Sequence, residues 1–170
     1  IQQALVPDVI QEDWKKWWEV AKKELKKNGH FLLPTKKSEP IVYQTQEISL
    51  QERLIADFRA AKGLKNRLTV AQEIQKNFSD MTDKEAAARE VIATLNSEIG
   101  THQRTQPSVA LEAIFVRDDL RADSQLPAAE GEITTQTIWT SDAKLGPLLE
   151  QLPAAKHRRA LQSFREANPN

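Results

Sequence analysis

The chain has 170 residues, with 24 basic and 24 acidic side chains and therefore no net charge at neutral pH. Such a balance creates no overall field that would draw the protein to nucleic acid or to an anionic membrane, so a polyanion site needs a local charge excess. The absence of cysteine excludes disulfides, thiolate catalysis and cysteine-ligated zinc, and it is typical of a reducing compartment.

No apolar run approaches the roughly 20 residues that a membrane-spanning helix needs, and the first residues do not form a charged-then-apolar leader. We therefore expect a cytoplasmic protein that makes no membrane contact. The chain begins without methionine, in a segment that is patterned like folded protein, so we also expect it to be part of a longer polypeptide.

Basic charge is concentrated near the amino terminus. Residues 14–37 contain eight lysines against Glu19 and Glu24, whereas residues 46–130 contain eleven basic and fourteen acidic side chains. Any polyanion-binding site is therefore expected within the first forty or so residues.

Residues 14–27 have the periodicity of an amphipathic helix, preceded by Asp13 as the N-cap and followed by Asn28-Gly29 as the stop. At about 100° per residue, one face is apolar and the opposite face is basic. We predict that the apolar face is the structural core of a small amino-terminal unit, with an exposed aromatic platform as the alternative. Its residues are Trp14, Trp17, Trp18, Ala21 and Leu25.

Two short apolar runs, 31–33 and 41–43, follow this helix. With Pro34 and Pro40 beside them, they predict a β-hairpin whose tip carries Lys36 and Lys37. A helix followed by a basic two-stranded wing is how winged helix-turn-helix modules contact a phosphate backbone. The candidate nucleic-acid-binding residues are thus Lys15, Lys16, Lys22, Lys23, Lys26, Lys27, Lys36 and Lys37.

The same basic face could simply be solvated, because lysine-rich outer faces commonly keep helices soluble. Arginine is absent from this region, so bidentate readout of guanine has no obvious agent. Any binding to nucleic acid should therefore be electrostatic, with little sequence preference.

From residue 47 onward, helical periodicity dominates. We predict two domains, a winged-helix-like helix-and-hairpin unit over residues 1–46 and a helical array over residues 47–170. The fold class is mainly α, a solenoid-like stack of short antiparallel helices, although no repeat of fixed period can be found. The helices are predicted over residues 50–58, 64–78, 82–100, 107–123, 133–139, 143–151 and 154–167, with a loop over 124–132.

Side chains that could carry catalysis are dispersed. His30, His102 and His157 have no metal-ligand spacing, and the five glycines form no phosphate-binding loop. Asp118-Asp119, like Glu85 and Glu90, has the pattern of solvated helix residues. We therefore predict no catalytic residue, no metal site, no cofactor and no enzymatic activity.

The last helix contains Lys156, Arg158 and Arg159, which could contact a polyanion. Its apolar spacing, however, favours a packed terminal hairpin that caps the helical array.

Several segments together resemble a known family. These are residues 5–10, the motif Trp14-x-x-Trp17-Trp18-x-x-Ala21-x-x-x-Leu25-Lys26, Phe31, and the Lys36-Lys37…Pro40-Ile41 hairpin. They resemble the region that precedes the Gre-type domain in long bacterial proteins related to the GreA/GreB transcript cleavage factors. Residues 107–113 and 152–161 are similar to the helical part of the same proteins.

The resemblance implies a bacterial cytoplasmic protein whose partners are RNA polymerase or DNA and RNA. It does not imply transcript cleavage, because that activity depends on acidic residues at the tip of a long antiparallel coiled coil, which has no counterpart here. Asp118-Asp119 lies beside a helix end without paired heptads.

The sequence thus favours a non-catalytic regulatory or adaptor fragment of a transcription-associated protein, which binds nucleic acid non-specifically through its basic face. The alternative is a purely protein-binding helical scaffold that makes no nucleic-acid contact.

Overall fold

The computed structural model describes residues 13–34, 40–45, 48–141 and 143–169. The chain divides into two compact units, Ile1–Leu50 and Gln51–Asn170. The predicted boundary after residue 46 lies a few residues before this division.

The described part of the first unit consists of one helix and a two-stranded hairpin. Helix α1 is Trp14–Lys27, and strands β1 (Phe31–Leu32) and β2 (Val42–Tyr43) pair antiparallel. The register places Phe31 opposite Tyr43 and Leu32 opposite Val42. A backbone hydrogen bond of 2.9 Å from Ile48 to the buried Gly29 closes the base of the hairpin.

Three helices begin the second unit: α2 (Leu50–Ala60), α3 (Leu64–Lys76) and α4 (Lys84–His102). Each buries an apolar stripe, for example Leu54, Ile55 and Phe58 in α2. Polar contacts hold α2 to α4, because Arg59 pairs with Glu90 and the side chain of Gln51 accepts a hydrogen bond from the backbone of Asp83.

Helix α5 (Pro107–Ser124) lies at the centre of the second unit. Burial continues around most of its circumference, as expected for a helix with neighbours on several sides. It packs against α3 and α4 and also contacts α6 (Thr135–Trp139) and α7 (Leu145–Gln151). Its buried residues are Ser108, Ala110, Leu111, Ala113, Ile114, Phe115, Val116, Arg117 and Leu120.

The chain ends with helix α8 (Ala154–Ala167), which packs against α6 and α7. The indole of Trp139 in α6 meets the ring of Phe164 edge to face, with ring centroids 5.3 Å apart. The last helix is therefore packed against its neighbours, as expected, although Leu161 is exposed; its role as a cap on a helical array stays a prediction.

The mainly α class and the hairpin after the first helix are confirmed, whereas a helical repeat and a winged-helix arrangement stay predictions. The predicted end of α3 was wrong. Phe78 does not belong to α3, because α3 stops at Lys76 and Phe78–Asp80 form a separate 3₁₀ turn. The side chain of Asn77 donates a hydrogen bond of 2.8 Å to the carbonyl of Glu73, which also accepts the backbone N–H of Asn77 at 3.2 Å, so the last turn is closed by its own C-cap residue.

Candidate nucleic-acid interface

Helix α1 begins and ends where its sequence signals predict. The carboxylate of Asp13 accepts a hydrogen bond of 2.9 Å from the backbone nitrogen of Lys15, which satisfies one of the free donors of the first turn. Asn28 is the C-cap, and Lys26 and Lys27 occupy the last turn, where cations interact favourably with the helix dipole.

The basic side of α1 is the lysine face, which comprises Lys15, Lys16, Lys22, Lys23, Lys26 and Lys27. Two of these lysines are neutralised locally, since Lys22 pairs with Glu19 and Lys27 with Glu24. The other four are exposed and have no carboxylate partner among the described residues. They are Lys15, Lys16, Lys23 and Lys26.

Glu19 lies in the middle of the lysine face, and the positive charges around it affect its pKa. The hydrogen bond from Lys22 lowers the pKa of Glu19, slight burial opposes this, and the charges of Lys22, Lys23 and Lys26 lower it further. The carboxylate therefore stays ionised, and it offsets only part of the positive charge.

The opposite side of α1 is the tryptophan face, formed by Trp14, Trp17, Trp18, Ala21 and Leu25. The three indoles stack on one another, with ring centroids 5.3, 5.5 and 6.3 Å apart. All five residues are half-buried, and no described residue of α1 is fully buried. Residues 1–12 lie outside the described part, so the assignment of this face as a core stays a prediction.

The hairpin has an aromatic cluster at its base. Tyr43 stacks on His30 and meets Phe31 edge to face, with centroids 5.7 and 5.4 Å apart. The Nδ1 atom of His30 lies 3.0 Å from the carbonyl oxygen of Gln44, a structural contact. The predicted tip lysines, Lys36 and Lys37, lie outside the described residues, so their relation to the lysine face stays a prediction.

The remaining histidines, His102 and His157, also make structural contacts. His102 lies 3.3 Å from Glu98, and Nε2 of His157 lies 3.0 Å from the carbonyl oxygen of Leu152. Within the described residues, no group of three or more histidine or acidic side chains has a geometry that could hold a metal ion.

Asp118 and Asp119 are not simply solvated, as was predicted from their pattern. Asp118 pairs with Arg117 and Arg121, and Asp119 pairs with Arg159 at 2.7 Å. Their partners lie one, three and forty positions away in sequence. Only the contact three positions away could have been anticipated from helical spacing.

A buried arginine was missed at the sequence level. The side chain of Arg117 is only 2% exposed, and Nη1 donates to the carbonyl of Ile133 at 2.9 Å and to the side chain of Asn96 at 3.0 Å. Glu132 completes the cluster, because Arg121 Nη2 contacts both of its carboxylate oxygens. The apolar residues Phe115 and Val116 immediately before Arg117 are the only sequence signal of its burial.

Residues 1–48 match a known protein family, described as the GRAD helix-turn-helix domain. This range contains α1 and the hairpin. The chain is also similar to the transcription elongation factor GreA of Chlamydia trachomatis serovar D, with 26% identity over 98 residues. The similarity covers 57% of this chain but only 14% of that relative, so the chain corresponds to a small part of it. No solved structure matches the chain.

The described helices include none that is long and apolar enough to cross a membrane.

Proposed function

We propose that this chain is a non-catalytic, transcription-associated segment whose amino-terminal unit binds the nucleic-acid backbone through the lysine face. One observation carries the proposal. The residues that match a helix-turn-helix domain contain the one helix on which four exposed lysines have no carboxylate partner among the described residues. Unpaired surface lysines are free to replace the counterions of a phosphate backbone.

The chemistry of the face favours positioning on phosphates over base readout. A lysine ammonium is a point charge on a flexible stem and lacks the planar fork with which arginine recognises guanine. The proposed binding is therefore strongly salt-dependent and nearly independent of sequence.

The similarity to a GreA elongation factor supports a place near RNA polymerase in the cytoplasm of a bacterium. On this proposal, the helical second unit supplies contact surface for a protein partner and carries out no chemistry. The location of the chain before a Gre-type domain, inferred from the resemblance, belongs to the same proposal.

The direct test is fluorescence anisotropy with labelled 20-base-pair DNA and RNA duplexes of unrelated sequence, at salt concentrations from 25 to 200 mM. A variant in which Lys15, Lys16, Lys23 and Lys26 all become glutamine should bind more weakly. It should also lower the slope of log K against log salt by as much as about 3 to 4, since each phosphate contact contributes about 0.9. Glutamine is nearly as good a helix former as lysine, so α1 should persist.

The second unit offers a matched control. Lys62, Lys65, Lys76 and Lys84 are also exposed and without an ion pair among the described residues, so their change to glutamine alters the net charge equally. Equal losses in both quadruple variants would show that net charge rather than the lysine face controls binding. If the wild-type chain binds no duplex at 25 mM salt, the proposal is overturned. The alternative function, a purely protein-binding helical scaffold, then remains.

A further inference from the structure

The outer face of α8 has no partner within the described residues of the second unit. Arg158, Leu161, Gln162 and Arg165 follow the i, i+3, i+4, i+7 spacing and therefore share one side of the helix. The other side is anchored to the protein, because Ala160 is fully buried and Ser163 is 7% exposed. These four residues, with Glu166, Asn168 and Pro169, line an open surface groove, called here the α8 groove.

Two free guanidinium groups lie in the α8 groove. Arg158 and Arg165 are exposed and have no carboxylate partner among the described residues. Arg159, next to Arg158 in sequence, is already occupied by Asp119 and by the ring of Phe115, whose centroid lies 4.6 Å from the guanidinium carbon. Most arginines of the second unit form ion pairs, namely Arg59, Arg67, Arg89, Arg117, Arg121 and Arg159.

An apolar side chain lies between the two free arginines. Leu161 is 42% exposed, and it is the one exposed large hydrophobic residue of the second unit among those described. A leucine left in solvent on an otherwise well-packed unit is by itself unremarkable. Its position on the same helix face, three residues after one of these arginines and four before the other, gives this face an apolar centre and two cationic ends.

Carboxylates fit this surface better than a nucleic-acid backbone does. Glu166 lines the same groove and repels any anion beside it, so carboxylates confined to the two arginines fit better than a continuous row of phosphates. Leu161 offers no favourable contact to a phosphate, whereas the aliphatic side chain of a peptide can cover it. The planar guanidinium forks of Arg158 and Arg165 bind carboxylates in a bidentate manner.

We propose that the α8 groove is a docking site for an acidic segment of a protein partner, with an aliphatic residue on Leu161 and carboxylates at Arg158 and Arg165. The α8 groove shares no residue with the lysine face, so its test does not depend on whether the lysine face binds nucleic acid.

The test uses a fluorescein-labelled, alanine-based helical peptide of 16 residues with a central leucine and glutamates one turn to either side. A second peptide has each glutamate replaced by glutamine. The chain should bind the acidic peptide, and the R158Q/R165Q variant should bind it at least about tenfold more weakly, as expected from the loss of two charge-assisted hydrogen-bonded contacts. In ¹H–¹⁵N spectra of the complete chain, the acidic peptide should shift amide signals of residues 158–168.

A matched control replaces Arg104 and Lys84 by glutamine, since both are exposed and unpaired among the described residues outside the groove. This control should bind the acidic peptide as the wild type does, and L161S should weaken binding. Equal affinity for the glutamine peptide, or unchanged binding by R158Q/R165Q, would overturn the proposal. Loss of duplex DNA binding in R158Q/R165Q without any peptide binding would assign the groove to nucleic acid instead.

Discussion

The indole nitrogen of Trp139 donates a hydrogen bond of 2.9 Å to the hydroxyl oxygen of Ser163. Both residues are buried, and the bond joins α6 to α8. The hydroxyl of Ser163 in turn donates to the carbonyl of Ala160 at 2.9 Å, so the indole, the hydroxyl and the backbone form a continuous chain. This contact fixes the helix whose other side carries the α8 groove.

Replacement of Ser163 by alanine should destabilise the second unit by about 1 to 3 kcal/mol, because the buried indole N–H loses its acceptor. The free energy of unfolding can be measured by urea denaturation followed by circular dichroism. The second single variant of the cycle is Trp139→Phe, which removes the donor of the same hydrogen bond. A double-mutant cycle should show that the two changes are not additive; additive losses would mean that the hydrogen bond contributes nothing.

Replacement of Arg117 by leucine should cost about 1 to 3 kcal/mol, because the carbonyl of Ile133 and the side chain of Asn96 lose their buried donor and the neighbouring carboxylates keep Arg121 alone as a cation. The urea midpoint of the variant measures the loss. Arg104→Leu is the control. That arginine is exposed and unpaired among the described residues, so the change should stay within about 0.5 kcal/mol. Similar losses in the two variants would show that Arg117 and its buried cluster contribute no more to the free energy of unfolding than an exposed arginine does.

The stability of the second unit should fall in acid, and Glu132 should contribute to the fall. Burial raises the pKa of Glu132, but hydrogen bonds from Asn96 and the backbone of Ala129, together with the charges of Arg117 and Arg121, lower it below its usual value. A carboxyl with a depressed folded-state pKa contributes stability above its unfolded pKa and loses it as pH falls through the folded value.

Urea midpoints between pH 6 and pH 3 test this linkage. The wild type should lose stability from about pH 5 downward, since the unfolded carboxyl titrates near 4.3. E132Q should be less stable than the wild type at pH 6, and its midpoint should change less with pH. Parallel pH profiles for the two proteins would exclude Glu132 as a contributor.

The tryptophan face can be tested by Trp17→Ala. Phe or Trp to Ala changes in closed cores cost about 3 to 5 kcal/mol, and the half-buried, stacked Trp17 should cost less, about 1 to 3 kcal/mol. Thermal unfolding followed by tryptophan fluorescence measures the change, with the signal of Trp139 in the second unit as a background common to both proteins. Unchanged stability combined with weaker duplex binding would restore the aromatic platform as the function of this face.

Local signals in the sequence predicted most helix boundaries. Asp13 caps α1, Asn28 ends it, and α8 has the predicted range Ala154–Ala167, because caps, prolines and stop residues act on the backbone nearest to them. Helix α6 begins at Thr135 rather than at residue 133, since Thr134 and Thr137 form a capping box there.

The polar network of the second unit could not be predicted in the same way. Arg117 contacts Asn96, 21 residues earlier, and Ile133, 16 residues later, and such distances in sequence carry no periodic signal. The sequence marks Arg117 as charged and hence as exposed, but burial is decided by whether partners converge on it in the folded chain.

The candidate lysine face was fully visible in the sequence, because helical geometry alone separates lysines from tryptophans in α1. Which lysines are free was not visible, since the pairs with Glu19 and Glu24 depend on the side-chain conformations. Arg158 and Arg159 show most clearly the difference between what the sequence predicts and what the tertiary structure decides. One residue apart and chemically identical, they point about 100° away from each other. Only the packing of α8 against its neighbours decided that Arg159 is paired with Asp119 and that Arg158 has no carboxylate partner among the described residues.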